Sequence, residues 1–219
     1  GQITLPLVIR TANGAGSRFG AQHSQSVENW AMMIPGIKVI APAFPADVKG
    51  LIAAAVRDPD PVIIFEQKSL YAFKGEVPDG EHVEEIGKAK VLRHGTDCTI
   101  VALALMVHRA LAAAEILERE HGISCTVVDV RSLVPLDTVT ILAEVAKTGR
   151  LVTIEENPRL CGWGAEIASI VADEIFWDLD GPIIRITTPH IPLPSADLLE
   201  DNTIPSVERV VREIREKID

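Results

Sequence analysis

Apolar positions along the chain switch repeatedly between two spacings, continuous short runs and stretches in which they recur every third or fourth residue. The runs "ITLPLVIR" (3–10), "KVIAP" (38–42) and "PVIIFE" (61–66) predict three strands. Between the last two, "PADVKGLIAAAVRD" predicts a helix closed by the turn Asp58-Pro59-Asp60-Pro61. Farther on, "CTIVALAL" (98–105), "SCTVVDV" (124–130), "RLVTIEE" (150–156) and "PIIRIT" (182–187) predict four more strands. A helix with Val107, Ala110, Leu111, Ala114 and Leu117 on one face follows the first of these. "LDTVTILAEVAKTG" predicts another helix ending at Gly149, and a third covers 164–177. A last helix carries Val207, Val210, Val211, Ile214 and Ile218 on one face. Apolar strands joined by helices of about 10–15 residues indicate βαβ units, an α/β fold and a mainly parallel sheet.

The two ends of the chain differ in this respect. Residues 1–72 supply three strands and one clear helix, too little for an independent core. This first segment is therefore expected to lack its beginning or to be completed by another chain. The stretch from Tyr71 to Lys88 is polar, acidic and rich in turn residues, which suits a linker, placed at 73–86. Regular alternation resumes from residue 87 and runs to 219.

Composition narrows the function. Of 219 residues, 47% are hydrophobic and only 4% aromatic, so the core is built from Val, Ile, Leu and Ala. A net charge of −10 with no Lys/Arg cluster argues against nucleic acid as a partner. No apolar run approaches the ~20 residues needed to span a bilayer, and "CTIVALALMV" reads as a buried strand. Cys98, Cys125 and Cys161 are odd in number and lack C-x-x-C spacing. They are expected to be reduced, buried thiols rather than a zinc site. The chain opens on Gly1 with no secretory pattern, which suggests a processed chain or a fragment.

Candidate chemistry centres on "GAGSRFGAQHSQ" (14–25). Gly14, Gly16 and Gly20 follow a strand, but the polar run "AQHSQSVENW" replaces the apolar helix of a dinucleotide site. The next strand ends in Ala41-Pro42 instead of an acidic residue, so nucleotide binding is the weakest reading of the loop. For His23 two readings stay open. One is a surface or structural histidine. The other is a proton donor or oxyanion stabiliser, with Gln22, Ser24 and Gln25 orienting the imidazole. His82, His94, His108 and His121 have no metal-ligand spacing and read as structural. Gly162 and Gly164 in "CGWGAEIA" read as a tight strand-to-helix turn in which Trp163 covers the sheet, ahead of an anion site. Arg131 reads as a strand-end ion-pair partner. Asp58 and Asp60 read as turn residues whose oxygens would also suit a hard cation.

Several stretches together resemble one family: "PLVIRTANGAG", "GAQHSQSVENW", "PGIKVIAP", "DVKGLIAAAVRDPDPVIIFE", "VVDVRSLVPLD", "GWGAEIA" and "LEDNTIP". In this order they resemble the β subunit of the thiamine-diphosphate-dependent 2-oxoacid dehydrogenases. These are the decarboxylating first components of the pyruvate, branched-chain and acetoin dehydrogenase complexes. The resemblance implies an incomplete transketolase-like pyrimidine-binding domain (1–72) followed by a transketolase C-terminal domain (87–219). It implies an α2β2 heterotetramer with a β–β contact, in which the α subunit holds most of the Mg2+ and diphosphate of thiamine diphosphate. No G-D-G motif followed by Asn occurs here, in keeping with that division.

By the same resemblance, the histidine of "AQHSQ", His23, is catalytic and assists acyl transfer to a lipoyl group. A structural K+, held mainly by backbone carbonyls, falls by position on Leu7, Ala55, Val56, Asp58 and Asp60. The family's glutamate that activates the cofactor is expected upstream of Gly1, so this chain alone is expected to be inactive. A lipoyl domain and the lipoyl acyltransferase core are the expected further partners, and the bacterial-type cytoplasm the expected location, with the mitochondrial matrix left open. The alternative function is a non-catalytic module for subunit assembly and acyltransferase docking. Which 2-oxoacid, or acetoin, is processed is not written in these motifs.

Overall fold

The computed structural model describes residues 3–218. Gly1, before which the activating glutamate is expected, lies outside the described residues. Among the described residues nine strands form two sheets. The first sheet contains β1 (Val8–Asn13), β2 (Lys38–Ile40), β3 (Val62–Gln67) and β7 (Ser132–Val134), in the order β1-β3-β2-β7. The second contains β4 (Lys90–Arg93), β5 (Cys98–Ala102), β6 (Cys125–Asp129), β8 (Leu151–Pro158) and β9 (Ile184–Thr188), in the order β4-β6-β5-β8-β9. Pairing is parallel except at β2–β7 and β4–β6. Strand β7 belongs to the second segment by sequence yet closes one side of the first sheet, with Val39 opposite Val134. Part of the completion the first segment needs thus comes from within the chain.

Helices α3 (Pro45–Arg57), α4 (Leu105–His121), α5 (Thr138–Thr148), α6 (Trp163–Glu174) and α8 (Val207–Ile218) cover the sheets, and α1 (Gly20–His23), α2 (Glu28–Met32) and α7 (Asp197–Thr203) are short. Helix α3 begins on Pro45, whose missing N–H is harmless at a first helical position. Helix α5 begins where the Asp137 carboxylate accepts from Thr140 N at 3.1 Å and ends on Gly149 in the left-handed region. Helix α4 ends in the same way on Gly122.

Three large apolar layers result, with a small fourth cluster of Ala15, Leu193 and Ile204. Helices α4 and α8 bury Ala110, Leu117, Val210 and Ile214 against Ile100, Val127, Ile154 and Ile186 of the second sheet. On the opposite face, α5 and α6 bury Ile141, Val145, Trp163 and Ile167 in a layer that continues into the first sheet through Val39, Ala41 and Phe65. Helix α3 packs Leu51 and Ala55 on Ile40, Val62 and Ile64. Each fully buried aliphatic side chain contributes roughly 1.5–3 kcal/mol. The shared second layer therefore couples the two segments strongly.

Some boundaries differ from the sequence expectation. The strand read at 3–10 starts only at Val8, because Pro6 has no N–H to give and Leu5 N is spent on Pro59 O at 3.0 Å. The helix read over 164–177 stops at Glu174, and Phe176–Asp178 form a separate 3-10 turn. Cys98 and Cys125 are buried as expected, with sulfurs 3.4 Å apart on adjacent strands, whereas Cys161 is exposed. Its backbone holds a positive φ of 56° at the turn before α6, which aims the side chain outward.

Candidate active site at the glycine loop

Strand β1 ends at Asn13, and the chain turns through Gly14 (φ 85°) and Gly16 (φ 96°). Both positions demand glycine. A Cβ on Gly14 would lie 2.5 Å from Gln67 Nε2, and one on Gly16 would collide with Ser69 Oγ. The loop's amides point inward, at carboxylates of the second segment. Ala15 N donates to Glu156 Oε1 at 2.6 Å, and Gly16 N to Glu200 Oε1 at 2.7 Å. Arg18 then closes the loop over α7, donating to Glu200 Oε2 at 3.0 Å and to both oxygens of Asp201 at 2.8 and 3.0 Å. Beside this guanidinium the Asp201 carboxyl is held below its usual range. The N–H groups that a diphosphate would need are thus already engaged.

Glu156, at the carboxyl end of β8, is the hub. Besides Ala15 N it accepts from Ser26 Oγ at 2.8 Å and from Gln67 Nε2 at 2.9 Å. Its neighbour Asn157 donates to Ser26 O and to Glu28 Oε2, each at 3.0 Å. Val27 N donates to Asn13 Oδ1 at 3.1 Å. Both flanks of the His23 loop are therefore pinned by buried polar groups. Glu28 is fully enclosed, and burial pushes its carboxyl up to about 7, with the Glu156 charge adding to the rise and hydrogen bonds from Asn157 and Asn13 opposing it.

His23 is the last residue of α1 and is exposed. It stands in the wall of a depression of about 560 Å3, shared with Asn13, Phe19, Gln22, Gln25, Trp30 and Lys68. Its ring meets Phe19 edge-on, with centroids 6.3 Å apart, and its backbone carbonyl accepts from Lys68 Nζ. Desolvation lowers the Lys68 ammonium from its usual range. The expected orientation of the imidazole by Ser24 is not seen. Ser24 is turned inward, and its Oγ is buried without a partner. What positions His23 is the main chain, gripped by Lys68 and by the Glu156 hub, and sequence reasoning missed both.

The other candidates separate cleanly. Ala55, Val56, Asp58 and Asp60 share the end of α3 and the turn after it, and Leu7 lies alongside, its carbonyl accepting from Val62 N at 2.9 Å. Lys38 Nζ sits on the Asp58 carboxylate at 2.6 and 2.7 Å and 3.5 Å from Asp60 Oδ2. A lysine thus takes the side-chain oxygens, leaving main-chain carbonyls at a helix C-terminus as the cation-attracting groups. Gly162 and Gly164 form the tight turn into α6. Gly164 N donates to Glu155 Oε2 at 3.0 Å, and a Cβ on either glycine would meet that carboxylate. Arg131 is the ion-pair partner expected, reaching Asp47 and Glu84 at 3.0 Å each. His108 bonds Ala43 O at 2.8 Å between the rings of Phe44 and Phe73. Among the described residues no cluster of three or more His, Cys, Asp or Glu could hold a metal, and no helix is long and apolar enough to cross a membrane.

A two-sheet α/β chain with a strand lent from the second segment to the first, and a glycine loop clasped between them, has known counterparts. The chain belongs to the transketolase family: residues 1–74 match the transketolase pyrimidine binding domain and residues 87–210 the transketolase C-terminal domain. Within that class its relatives in sequence are β subunits of dehydrogenases. It is 46% identical over 212 residues to the β subunit of acetoin:2,6-dichlorophenolindophenol oxidoreductase of Bacillus subtilis, covering 96% of this chain and 61% of that one. It is 47% identical over 216 residues to the mitochondrial pyruvate dehydrogenase E1 component subunit beta-2 of Oryza sativa subsp. japonica, covering 97% and 57%. The chain thus spans about three-fifths of the length of these curated relatives. A split-gene transketolase, solved as an inactive β4 tetramer, superposes with a TM-score of 0.79 at 27% identity, over 98% of this chain and 67% of that one. A Pichia stipitis transketolase superposes with a TM-score of 0.67 at 15% identity, over 98% and 30%, and shows the fold alone.

Proposed function

We propose that this chain serves as the β subunit of a thiamine-diphosphate-dependent 2-oxoacid or acetoin dehydrogenase, working with an α subunit and passing acyl groups to lipoyl. One observation carries the reading. The loop bearing His23 spends its amides on internal carboxylates and leaves the imidazole exposed in a depression of ligand size. Such a loop suits the organic end of the cofactor and its substrate, with Phe19 and Trp30 as apolar surface and Gln22 and Gln25 as polar contacts. It offers nothing to the diphosphate and Mg2+, which fall to the α partner.

Thiamine diphosphate, when bound, supplies a carbon nucleophile and an electron sink. The chain's own part is proton management. With the cofactor bound, a ring N–H of His23 would donate to the substrate's carbonyl oxygen. It would also protonate the lipoyl sulfur set free when the S–S bond opens and its other sulfur takes the acyl carbon. Lys68, held on the His23 carbonyl, stands at the rim, where its ammonium would suit the carboxylate of a 2-oxoacid substrate. A K+ on the carbonyls of Leu7, Ala55 and Val56 would brace the end of α3. Replacing Na+ by K+ should then raise the melting temperature, and an unchanged melt removes the ion from the reading.

The deciding assay places this chain in a polypeptide of its relatives' full length, co-expressed with an α subunit. Turnover of pyruvate, branched 2-oxoacids and acetoin is measured with thiamine diphosphate and Mg2+. His23→Ala is expected to lower turnover on the preferred substrate about 10²–10⁴-fold. Full activity of that variant overturns the role of His23. Absence of turnover on every substrate, with acyltransferase binding retained, favours the docking-module reading.

A further inference from the structure

A broad concavity lies away from His23, at the edge of the second sheet. It is open to solvent, has a volume of about 710 Å3 and is lined by Arg159, Leu160, Arg185, Thr187, Pro189, His190, Arg209, Glu213 and Lys217. The chain carries a net charge of −10, yet this pocket gathers four Arg/Lys side chains and one carboxylate. Such a concentration against the overall charge creates a local field that attracts anions.

The site is organised rather than merely basic. Arg159 Nη1 donates to Arg185 O at 3.0 Å, and Arg185 Nη2 returns to Arg159 O at 2.8 Å. The two guanidinium groups thus brace each other through the main chain at the ends of β8 and β9. Arg185 also pairs with the buried Glu155 at 3.0 Å, while its Nε is buried with no hydrogen-bond partner. Across the pocket, Arg209 Nε donates to Glu213 Oε1 at 2.6 Å along α8. With Glu155 and Glu213 counted against the four cations, two positive charges stay uncompensated among the described residues. His190 adds a side-chain donor, the Thr187 hydroxyl being spent on Thr188 O at 3.1 Å, and Leu160 and Pro189 give an apolar wall.

We infer that this pocket binds a small phosphate monoester. Two excess charges match a dianion, planar guanidinium forks suit phosphate oxygens, and the volume falls within the roughly 300–1,000 Å3 of small-molecule sites. The apolar wall receives the organic part. Nothing in this reading depends on the chemistry assigned to His23.

The test is calorimetric titration of the chain at low ionic strength with inorganic phosphate, glycerol 3-phosphate and AMP, and with glycerol, adenosine and succinate as controls. Saturable one-to-one binding is expected for the monoesters, tighter than for inorganic phosphate and absent for the uncharged controls. Arg159→Ala and Arg209→Ala should each weaken it at least tenfold, while Arg119→Ala, on the exposed end of α4, leaves it unchanged. Thermal melts of each variant confirm folding, and NMR shifts of the wild-type Thr187 and His190 signals report the site without mutation. No saturation by any monoester, an equal loss in Arg119→Ala, or tighter binding of succinate overturns the proposal.

Discussion

Glu156 and Asp47 are both buried carboxylates that tie the first segment to the second, yet their surroundings are opposite. Glu156 is met by neutral donors: a backbone amide, a serine hydroxyl and a glutamine amide, all between 2.6 and 2.9 Å. Asp47, on α3, is met by charge. Arg131 holds its Oδ1 at 3.0 Å, Lys90 stands 3.7 Å away, and its Oδ2 is buried with no partner. Beside it Asp129 is equally enclosed, and its own Oδ2 is also unpartnered. Burial, reinforced by the Asp47 charge, pushes the Asp129 carboxyl up to about 8. The first junction is fully satisfied and positions a loop. The second is a charge arrangement that holds only while Arg131 is present, and its balance changes with pH.

Removing the pivot of the charged junction gives the largest effect. Arg131→Met leaves Asp47 and Glu84 without their cation, and breaking such a buried pair costs about 3–5 kcal/mol. The loss is read from denaturant midpoints. A change under 1 kcal/mol would mean that Lys90 alone balances Asp47, and the contrast with Glu156 disappears.

The pH response comes next. Asp129 has a folded pKa raised from 3.8 to about 8, so the folded chain holds a proton that the unfolded chain has released across this window. Stability therefore falls as pH rises from about 4 to about 8, by up to ~1.4 kcal/mol per unit. Asp129→Asn removes this dependence while its side-chain oxygen still accepts from Arg131 N. Between pH 5 and 7 the wild type should lose roughly 3 kcal/mol more than the variant. Parallel curves would show that Asp129 is ionised throughout.

At the satisfied junction the smaller perturbation is Glu156→Gln. A glutamine keeps the shape but turns an NH2 group toward one of three donors, leaving an unpaired buried group worth about 1–3 kcal/mol. Because Glu156 ties down the loop carrying His23, hydrogen exchange at Ala15 and Gly16 should quicken more than exchange in α4. Uniform quickening would place Glu156 among general stabilisers.

The contrast also explains what the sequence could reveal. Periodicity marks α3, α4, α5 and α8 and the central strands because burial of their apolar faces is what forms them. The two-residue alternation that would mark β4 and β7 is too short to stand out over four and three residues, and both depend on partners far along the chain. His23 is legible because glycines and polar neighbours surround it. Its support is not, since Glu156 and Glu200 lie more than a hundred residues away along the chain. His190, in the basic pocket, escaped notice for the same reason: its arginine neighbours come from three separate elements.

The smallest expected effect on stability is the most informative about the candidate site. The His23 imidazole is exposed, and among the described residues it makes no hydrogen bond through its ring. Only the backbone carbonyl is engaged, by Lys68. His23→Ala retains that carbonyl and removes a ring whose one aromatic neighbour, Phe19, is itself exposed. The change in unfolding free energy should stay within about 0.5 kcal/mol, against several kcal/mol for Arg131→Met. A residue held for folding loses stability and activity together, whereas a residue held for chemistry loses only activity. If His23→Ala destabilises the chain by more than about 1 kcal/mol, the imidazole is a structural group and its place in the proton transfers falls.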